Sequence, residues 1–193
     1  YTFNITGLGT VAMLNLVSDQ VGATSYTVET KGLAYLPVVP GAPYDVSAIT
    51  QLTGSPVVSS NHGTTGATDT ATIATTQTSD TTFNSASQVN VAGEFTFSTI
   101  GWGYFDAGGT FVGTAADLGN SVTLALNGTA GRTLKVEFVS SANPNIKKIF
   151  LVTLAADHLN YTFNITGLGT VAMINTVSDQ VGATSYTVET KGL

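Results

Sequence analysis

The chain of 193 residues contains no cysteine and few charged side chains. The absence of cysteine excludes disulfide frameworks and thiolate metal sites. Only 9 % of the residues are charged, whereas an average soluble domain has about 25 %. Because the net charge is −6, the chain lacks the basic footprint of nucleic-acid-binding proteins, and we expect no nucleic-acid partner.

Long apolar runs are absent as well. No stretch reaches the roughly 18 apolar residues of a membrane-spanning helix, so we expect no membrane span. The abundant residues are 33 Thr, 15 Ser and 21 Gly, with 42 % hydrophobic residues. This composition is typical of β-proteins, and it favours an extracellular or cell-surface location.

Many short segments alternate between apolar and polar residues. In one of them Leu134, Val136 and Phe138 alternate with Lys135 and Glu137, which predicts a strand with one buried face. Residues 53–70 are rich in Gly, Ser, Thr and Asn and are predicted as a long loop that contains His62. The series of strands and Gly turns predicts an all-β, antiparallel β-sandwich of the jelly-roll type. The strongest strand candidates are residues 94–100, 121–126, 133–139 and 148–154.

The two ends of the chain are nearly identical. Residues 1–33 (the first copy) and 161–193 (the second copy) match at 31 of 33 positions, and they differ only as Leu14/Ile174 and Leu16/Thr176. A period of 160 residues is the size of a domain, so the sequence predicts one module of a tandem array. We expect residues 44–193 to form a β-sandwich closed by the second copy, after a Pro-rich linker at 34–43.

The first copy is then predicted to hold the closing strands of a preceding repeat. Three amphipathic strands cannot bury their apolar face alone. The part of a module without its closing copy (residues 44–160 here) is called the body. We therefore expect the strands of the first copy to pair with the body of another chain or repeat, by strand complementation. The alternative is that the first copy closes this body and the second copy is surplus. The candidate assembly residues are Tyr1, Phe3, Ile5, Tyr26 and Val28.

Two segments carry a likeness to a known class of module. They are GWGYFDAGGTFVGTAADLGNSVTLALNGTAGRTLKVEFVS (101–140) and the run NYTFNITGLGTVAMINTVSDQ…YTVETKGL (160–193). The chain resembles the carbohydrate-binding β jelly rolls, including family-11-type modules, that recur in large bacterial surface proteins. The resemblance implies a jelly-roll fold and suggests a polysaccharide ligand. It covers roughly residues 56–193.

An aromatic cluster supplies the candidate glycan platform. Trp102 and Tyr104 lie two apart, so on a strand they share one face, and Asp106 and Asn127 are the candidate polar partners for sugar hydroxyls. The alternative is that Trp102 fills the sandwich core, as large aromatic residues often do.

The resemblance also suggests calcium, which favours carboxylate and carbonyl oxygens. The alternative for each aspartate is that it caps a turn, as Asp commonly does beside Gly. The candidate ligands are Asp45, Asp69, Asp106 and Asp117; no other cofactor is expected.

Catalytic patterns are missing. His62 and His158 have no suitably spaced partner, and no G-x-S-x-G motif occurs, so we expect no enzyme. Four N-x-S/T sequons fit an exported protein, at Asn4, Asn127, Asn160 and Asn164.

Two functions remain at this point. The first is a structural or adhesive repeat of an extracellular filament or giant surface protein, which assembles head to tail with copies of itself. The alternative is a carbohydrate-binding module that stacks glycans on aromatic rings.

Overall fold

The computed structural model describes residues 6, 36–38, 40–54, 56–64, 69–79, 82–91, 94–178 and 182–190. The chain divides into two compact units, Tyr1–Leu33 and Ala34–Leu193. All the strands described here belong to the second unit. No helix among the described residues is long and apolar enough to cross a membrane.

The described residues form fourteen β-strands and no helix, as the Thr- and Val-rich alternation predicts. The strands are β1 (Leu36–Val38), β2 (Ala42–Pro43), β3 (Val57–Thr64), β4 (Thr72–Gln77), β5 (Thr82–Gln88), β6 (Glu94–Gly101), β7 (Gly103–Phe105), β8 (Phe111–Gly113), β9 (Ser121–Gly128), β10 (Thr133–Ser140), β11 (Lys147–Thr153), β12 (Leu159–Asn164), β13 (Val171–Ser178) and β14 (Thr184–Glu189).

Twelve of these strands build two six-stranded sheets. The first sheet has the order β1-β11-β10-β13-β6-β3, the second has β2-β12-β9-β14-β5-β4, and β7 with β8 forms a separate hairpin. All pairs are antiparallel except β1 with β11. The predicted all-β, antiparallel sandwich is confirmed, and it is the kind of fold that the resemblance to jelly-roll modules implies.

An apolar cluster fills part of the space between the sheets. Phe138, Phe150 and Phe163 meet there with ring centroids 5.1–5.8 Å apart. Aromatic pairs at such distances add stability beyond the area they bury. The surrounding side chains are at most 2 % exposed: Val122, Leu124, Leu126, Leu134, Val136, Val152 and Tyr161.

The second copy supplies three strands in the interior of the sheets. Most of β12 lies in it, between β2 and β9; β13 lies between β10 and β6; β14 lies between β9 and β5. Side chains from all three strands reach the core, as Phe163, Ile174 and Val188 are each at most 1 % exposed. Both sheets therefore depend on this segment for their continuity.

Two stretches differ from their expected form. Residues 53–70 were expected as a loop, which is wrong for 57–64, because β3 pairs with β6 over eight positions. An edge strand pairs on one side only, so it tolerates Asn61 and Gly63. Within the predicted linker 34–43, β1 pairs with β11 and β2 pairs with β12.

Candidate functional site

The predicted aromatic platform lies at the junction of β6 and the β7–β8 hairpin. Trp102 is partly buried against the core, and its Nε1 donates a hydrogen bond to the Thr53 carbonyl oxygen at 2.6 Å. Tyr104 is 62 % exposed. Asp106 accepts hydrogen bonds from the backbone N–H groups of Gly108 (2.9 Å) and Thr110 (2.8 Å), so its carboxylate closes the hairpin turn.

The fourth predicted ligand residue belongs to a different sheet. Asn127 lies on β9, in register with Thr187 of β14, whereas Trp102 follows β6 of the first sheet.

Two of the candidate glycosylation sequons differ in accessibility. Asn160 is 5 % exposed, and its Nδ2 donates to the Asp45 carbonyl oxygen at 2.7 Å, so this amide is not available for N-glycosylation in the folded module. Asn164 is exposed, and its Oδ1 accepts from Thr166 N.

The four candidate calcium ligands occupy separate turns. Asp45 Oδ1 accepts from the N–H and hydroxyl of Ser47 at 2.9 and 2.7 Å. Asp117 Oδ1 accepts from Gly119 N at 3.0 Å, and Asp69 Oδ2 pairs with His62 Nδ1 at 3.0 Å. Within the described part of the chain, no three His, Asp, Glu or Cys side chains cluster to hold a metal ion.

The candidate assembly residues of the first copy and Asn4 lie outside the described residues. Their counterparts in the second copy are described. Tyr161, Phe163, Ile165, Tyr186 and Val188 are all at most 2 % exposed, which is what the alternation in this sequence predicts for the strand face turned to a core.

A groove of about 430 Å³ lies on the outer face of the first sheet. Phe95 and Phe97 of β6 line it with nearly parallel rings, whose centroids are 6.3 Å apart at 15°. Gly63 of β3 makes room for the first ring, because a Cβ there would lie 2.8 Å from Phe95 Cζ. The remaining lining residues are Lys135, Glu137, Lys147, Asn175 and Val177.

The groove carries a connected set of polar side chains. Glu137 is 7 % exposed, with Lys135 Nζ at 2.8 Å and Lys147 Nζ at 3.6 Å. Burial opposes ionisation of Glu137, but the two lysines and a hydrogen bond from Asn175 outweigh it and hold its pKa below the ordinary value. Thr99 Oγ1 donates to Asn175 Oδ1 at 2.8 Å. Aromatic rings beside fixed polar groups suit a ligand with apolar C–H faces and hydroxyls.

A second polar set lies between the sheets and is called the hydroxyl cluster here (Thr75, Ser85, Ser98, Thr176 and Tyr186). Ser98 Oγ lies 2.7 Å from Ser85 Oγ and 2.8 Å from Thr75 Oγ1. Tyr186 Oη lies 3.2 Å from Ser98 Oγ and 2.8 Å from Thr176 Oγ1. The cluster joins the body (Thr75, Ser85, Ser98) to the second copy (Thr176, Tyr186).

Sequence reasoning missed both sets, although β6 carries their signal. Along residues 94–100 the apolar Phe95 and Phe97 alternate with Glu94, Thr96 and Ser98. The usual interpretation buries the phenylalanines. The structure instead buries Glu94, Thr96 and Ser98 to 0 % exposure and turns the rings outward, because the hydroxyls find partners between the sheets.

Comparison with known proteins gives structural likenesses only. No family model and no curated protein sequence matches the chain. A family 11 carbohydrate-binding module of the Clostridium thermocellum cellulase Lic26A-Cel5E is similar at 8 % identity and TM-score 0.45, over 69 % of this chain and 84 % of that one. The enzymatically active domain of tailspike protein 4 of bacteriophage CBA120 is similar at 12 % identity and TM-score 0.41, over 75 % of this chain and 19 % of that one. Both TM-scores are below 0.5, so the fold assignment rests on the strand pairing given above.

Proposed function

We propose that this chain is a non-catalytic repeat module of an extracellular structural or adhesive array, in which modules associate by exchange of their closing strands. One observation carries the proposal: the second copy forms strands inside both sheets, and the first copy repeats its sequence at 31 of 33 positions. One body needs one closing set, and this chain carries two.

Exchange of closing strands between copies would join modules into a row. A donor segment at one end of a module and an acceptor body elsewhere form a heterologous contact, which extends into open chains when it does not close into a ring. Backbone hydrogen bonds along an added strand supply affinity, and buried side chains supply register. The partner in this proposal is a second copy of the same module.

The oligomeric state tests the proposal. The full chain is expected to form concentration-dependent oligomers in light scattering coupled to gel filtration, and short filaments in negative-stain images. The matched control is the unit 34–193, which retains all fourteen described strands and is expected to remain monomeric. A full chain that stays monomeric at every concentration contradicts the proposal.

A second candidate function is polysaccharide binding in the groove on the first sheet. The specific observation is the pair of nearly parallel rings of Phe95 and Phe97 beside Lys135, Glu137 and Asn175. Such a pair offers an apolar surface to sugar C–H groups, while the charged and amide groups meet hydroxyls.

Substitution of one ring separates this groove from the hairpin platform. Phe97→Ala is expected to weaken retardation in gels that contain a bound polysaccharide by about tenfold, the loss of one stacking contact. Tyr104→Ala removes the exposed ring of the β7–β8 hairpin and serves as the control, with no expected change. If Tyr104→Ala weakens binding and Phe97→Ala does not, binding is assigned to the hairpin. An unfolding midpoint measured for each variant shows whether the fold is retained.

A further inference from the structure

The hydroxyl cluster is a contact between the body, which the sequence contains once, and the second copy, which belongs to the segment that the sequence contains twice. Thr176 Oγ1 and Tyr186 Oη come from the second copy, and Ser98, Ser85 and Thr75 come from the body. Thr176 and Ser98 are each at most 1 % exposed, so no water can replace a lost partner without a rearrangement of the sandwich. A buried hydroxyl that loses its partner is costly, which makes such a contact selective.

The two copies differ at this contact. Thr176 corresponds to Leu16 in the first copy, whereas Tyr186 corresponds to an identical residue, Tyr26. The other difference, Ile174 to Leu14, exchanges two apolar side chains of equal size at a buried site, which cores tolerate well. Only the change at position 16/176 alters the polarity of the buried surface.

Leucine at this position does not fit the body described here. It offers no hydroxyl to the Ser98 carbonyl oxygen of the body, which accepts from Thr176 Oγ1 at 3.5 Å, or to the tyrosine of its own copy, whose counterpart Tyr186 Oη lies 2.8 Å from Thr176 Oγ1. It also brings a larger branched side chain into a space filled by Ser98 and Tyr186, and overpacking of this kind destabilises a core.

We infer that residue 16/176 determines which closing segment this body prefers: threonine matches the contact with Ser98, and leucine does not. The inference rests on the proposed exchange of closing strands and refines it. The occupant favoured by this body is the second copy. The first copy is the weaker occupant, so it displaces the second copy from the body of another chain only at high protein concentration.

The absence of cysteine allows each copy to be followed in the full chain. Ala172 is 0 % exposed and corresponds to Ala12 in the first copy. Ala172→Cys and, in a separate chain, Ala12→Cys provide single thiols whose rates of reaction with a disulfide reagent report whether each copy is buried. At a dilution at which the full chain is monomeric, we expect the thiol at position 172 to be protected. The thiol at position 12 is expected to react at least about tenfold faster, the preference that a lost buried hydrogen bond and overpacking produce.

Exchange of the two side chains tests the assignment. Thr176→Leu is expected to raise the reaction rate of the thiol at position 172 by about tenfold or more. In the double variant Leu16→Thr with Thr176→Leu, protection is expected to pass from position 172 to position 12, because the first copy then carries the hydroxyl. Thr176→Ser keeps the hydroxyl and is expected to keep the thiol at position 172 protected. Thr176→Val keeps the size but lacks the hydroxyl, and it is expected to raise the reaction rate.

The outcomes separate the two proposals. If the thiol at position 172 stays fully protected in Thr176→Leu and in Thr176→Val, the role of position 176 is overturned and exchange of copies is untouched. If this thiol is exposed in the double variant and the thiol at position 12 gains no protection, the first copy cannot close the body and the proposed exchange itself fails. Should Thr176→Leu prevent folding, the Ser and Val variants still decide between hydroxyl and size.

Discussion

At the scale of single residues, Glu94 shows how a buried carboxylate organises this sandwich. Its Oε1 accepts hydrogen bonds from the hydroxyl and N–H of Thr70, and its Oε2 accepts from the N–H groups of Asn90 and Val91. The bond from the Thr70 hydroxyl lowers the pKa most; burial opposes it, and the backbone bonds add to the lowering, so the pKa falls from 4.5 to about 2. One side chain thus holds Thr70, which precedes β4, and Asn90 and Val91, which follow β5.

This pKa predicts how stability depends on pH. Because the folded-state pKa lies below the unfolded one, the contribution of Glu94 is complete above about pH 4.5 and disappears as the pH falls through about 2. Glu94→Gln is expected to lower the urea midpoint at neutral pH, because the amide NH₂ would face backbone donors. It is also expected to flatten the acid limb of a plot of midpoint against pH.

Asp157→Asn is the matched control for Glu94→Gln, because Asp157 is exposed. Its midpoint is expected to follow that of the unaltered chain at every pH. An acid limb in Glu94→Gln as steep as in the unaltered chain would show that other carboxylates govern the acid transition.

At the scale of elements, the stretch around β2 is held to the second sheet by specific contacts. The ring of Tyr44 stacks on His158 at 4.2 Å, and its hydroxyl donates to Glu189 Oε1 at 2.9 Å. Pro43 is tolerated in β2 because this strand lies at the sheet edge and has one partner only. Gly41 is required there, since a Cβ on it would collide with the carbonyl oxygen of Asn160.

Gly41→Ala is therefore expected to displace β2 from β12 and to destabilise the module by about 1–3 kcal/mol, the usual cost of overpacking. Hydrogen exchange at the backbone amides of Ala42 and Tyr44 measures the displacement, and a urea titration measures the stability. Pro40→Ala, at an exposed neighbouring position, serves as the control. If the amides are equally protected from exchange in Gly41→Ala and Pro40→Ala, Gly41 is not required for the pairing of β2 with β12.

The elements also show which features the sequence could predict. Residues 133–139 were expected as a strand with one buried face, and β10 buries Leu134, Val136 and Phe138 fully, because its alternation has a single apolar side. The orientation of β6 could not be predicted, since either face can be buried when the polar side chains find partners from distant strands. The pairing of β3 with β6 could not be predicted either, because residues 57–64 show no clear alternation and the partner strand lies about 35 residues further along the chain.

At the scale of the whole molecule, the duplication gives two ways to assemble the same parts. Residues 34–193 contain the body followed by the second copy, and residues 1–160 contain the first copy followed by the same body. The two stretches are circular permutations of one sequence, apart from Leu14/Ile174 and Leu16/Thr176 and the break at position 160/161. Permutation is tolerated best at exposed loop tips, whereas this break falls inside β12, between the buried Asn160 and Tyr161.

Three truncated chains test whether the copies are equivalent. Residues 34–160 lack a closing copy and are expected to show no cooperative unfolding, because the loss of β13, β14 and most of β12 exposes the core on both sheets. Residues 34–193 are the control and are expected to unfold cooperatively. Residues 1–160 are expected to regain cooperative unfolding, within one chain or between two, at a lower urea midpoint, because Leu16 replaces Thr176. Fluorescence of the lone tryptophan, Trp102, follows all three transitions, and a chain 1–160 that behaves like 34–160 would show that the first copy cannot stand in for the second.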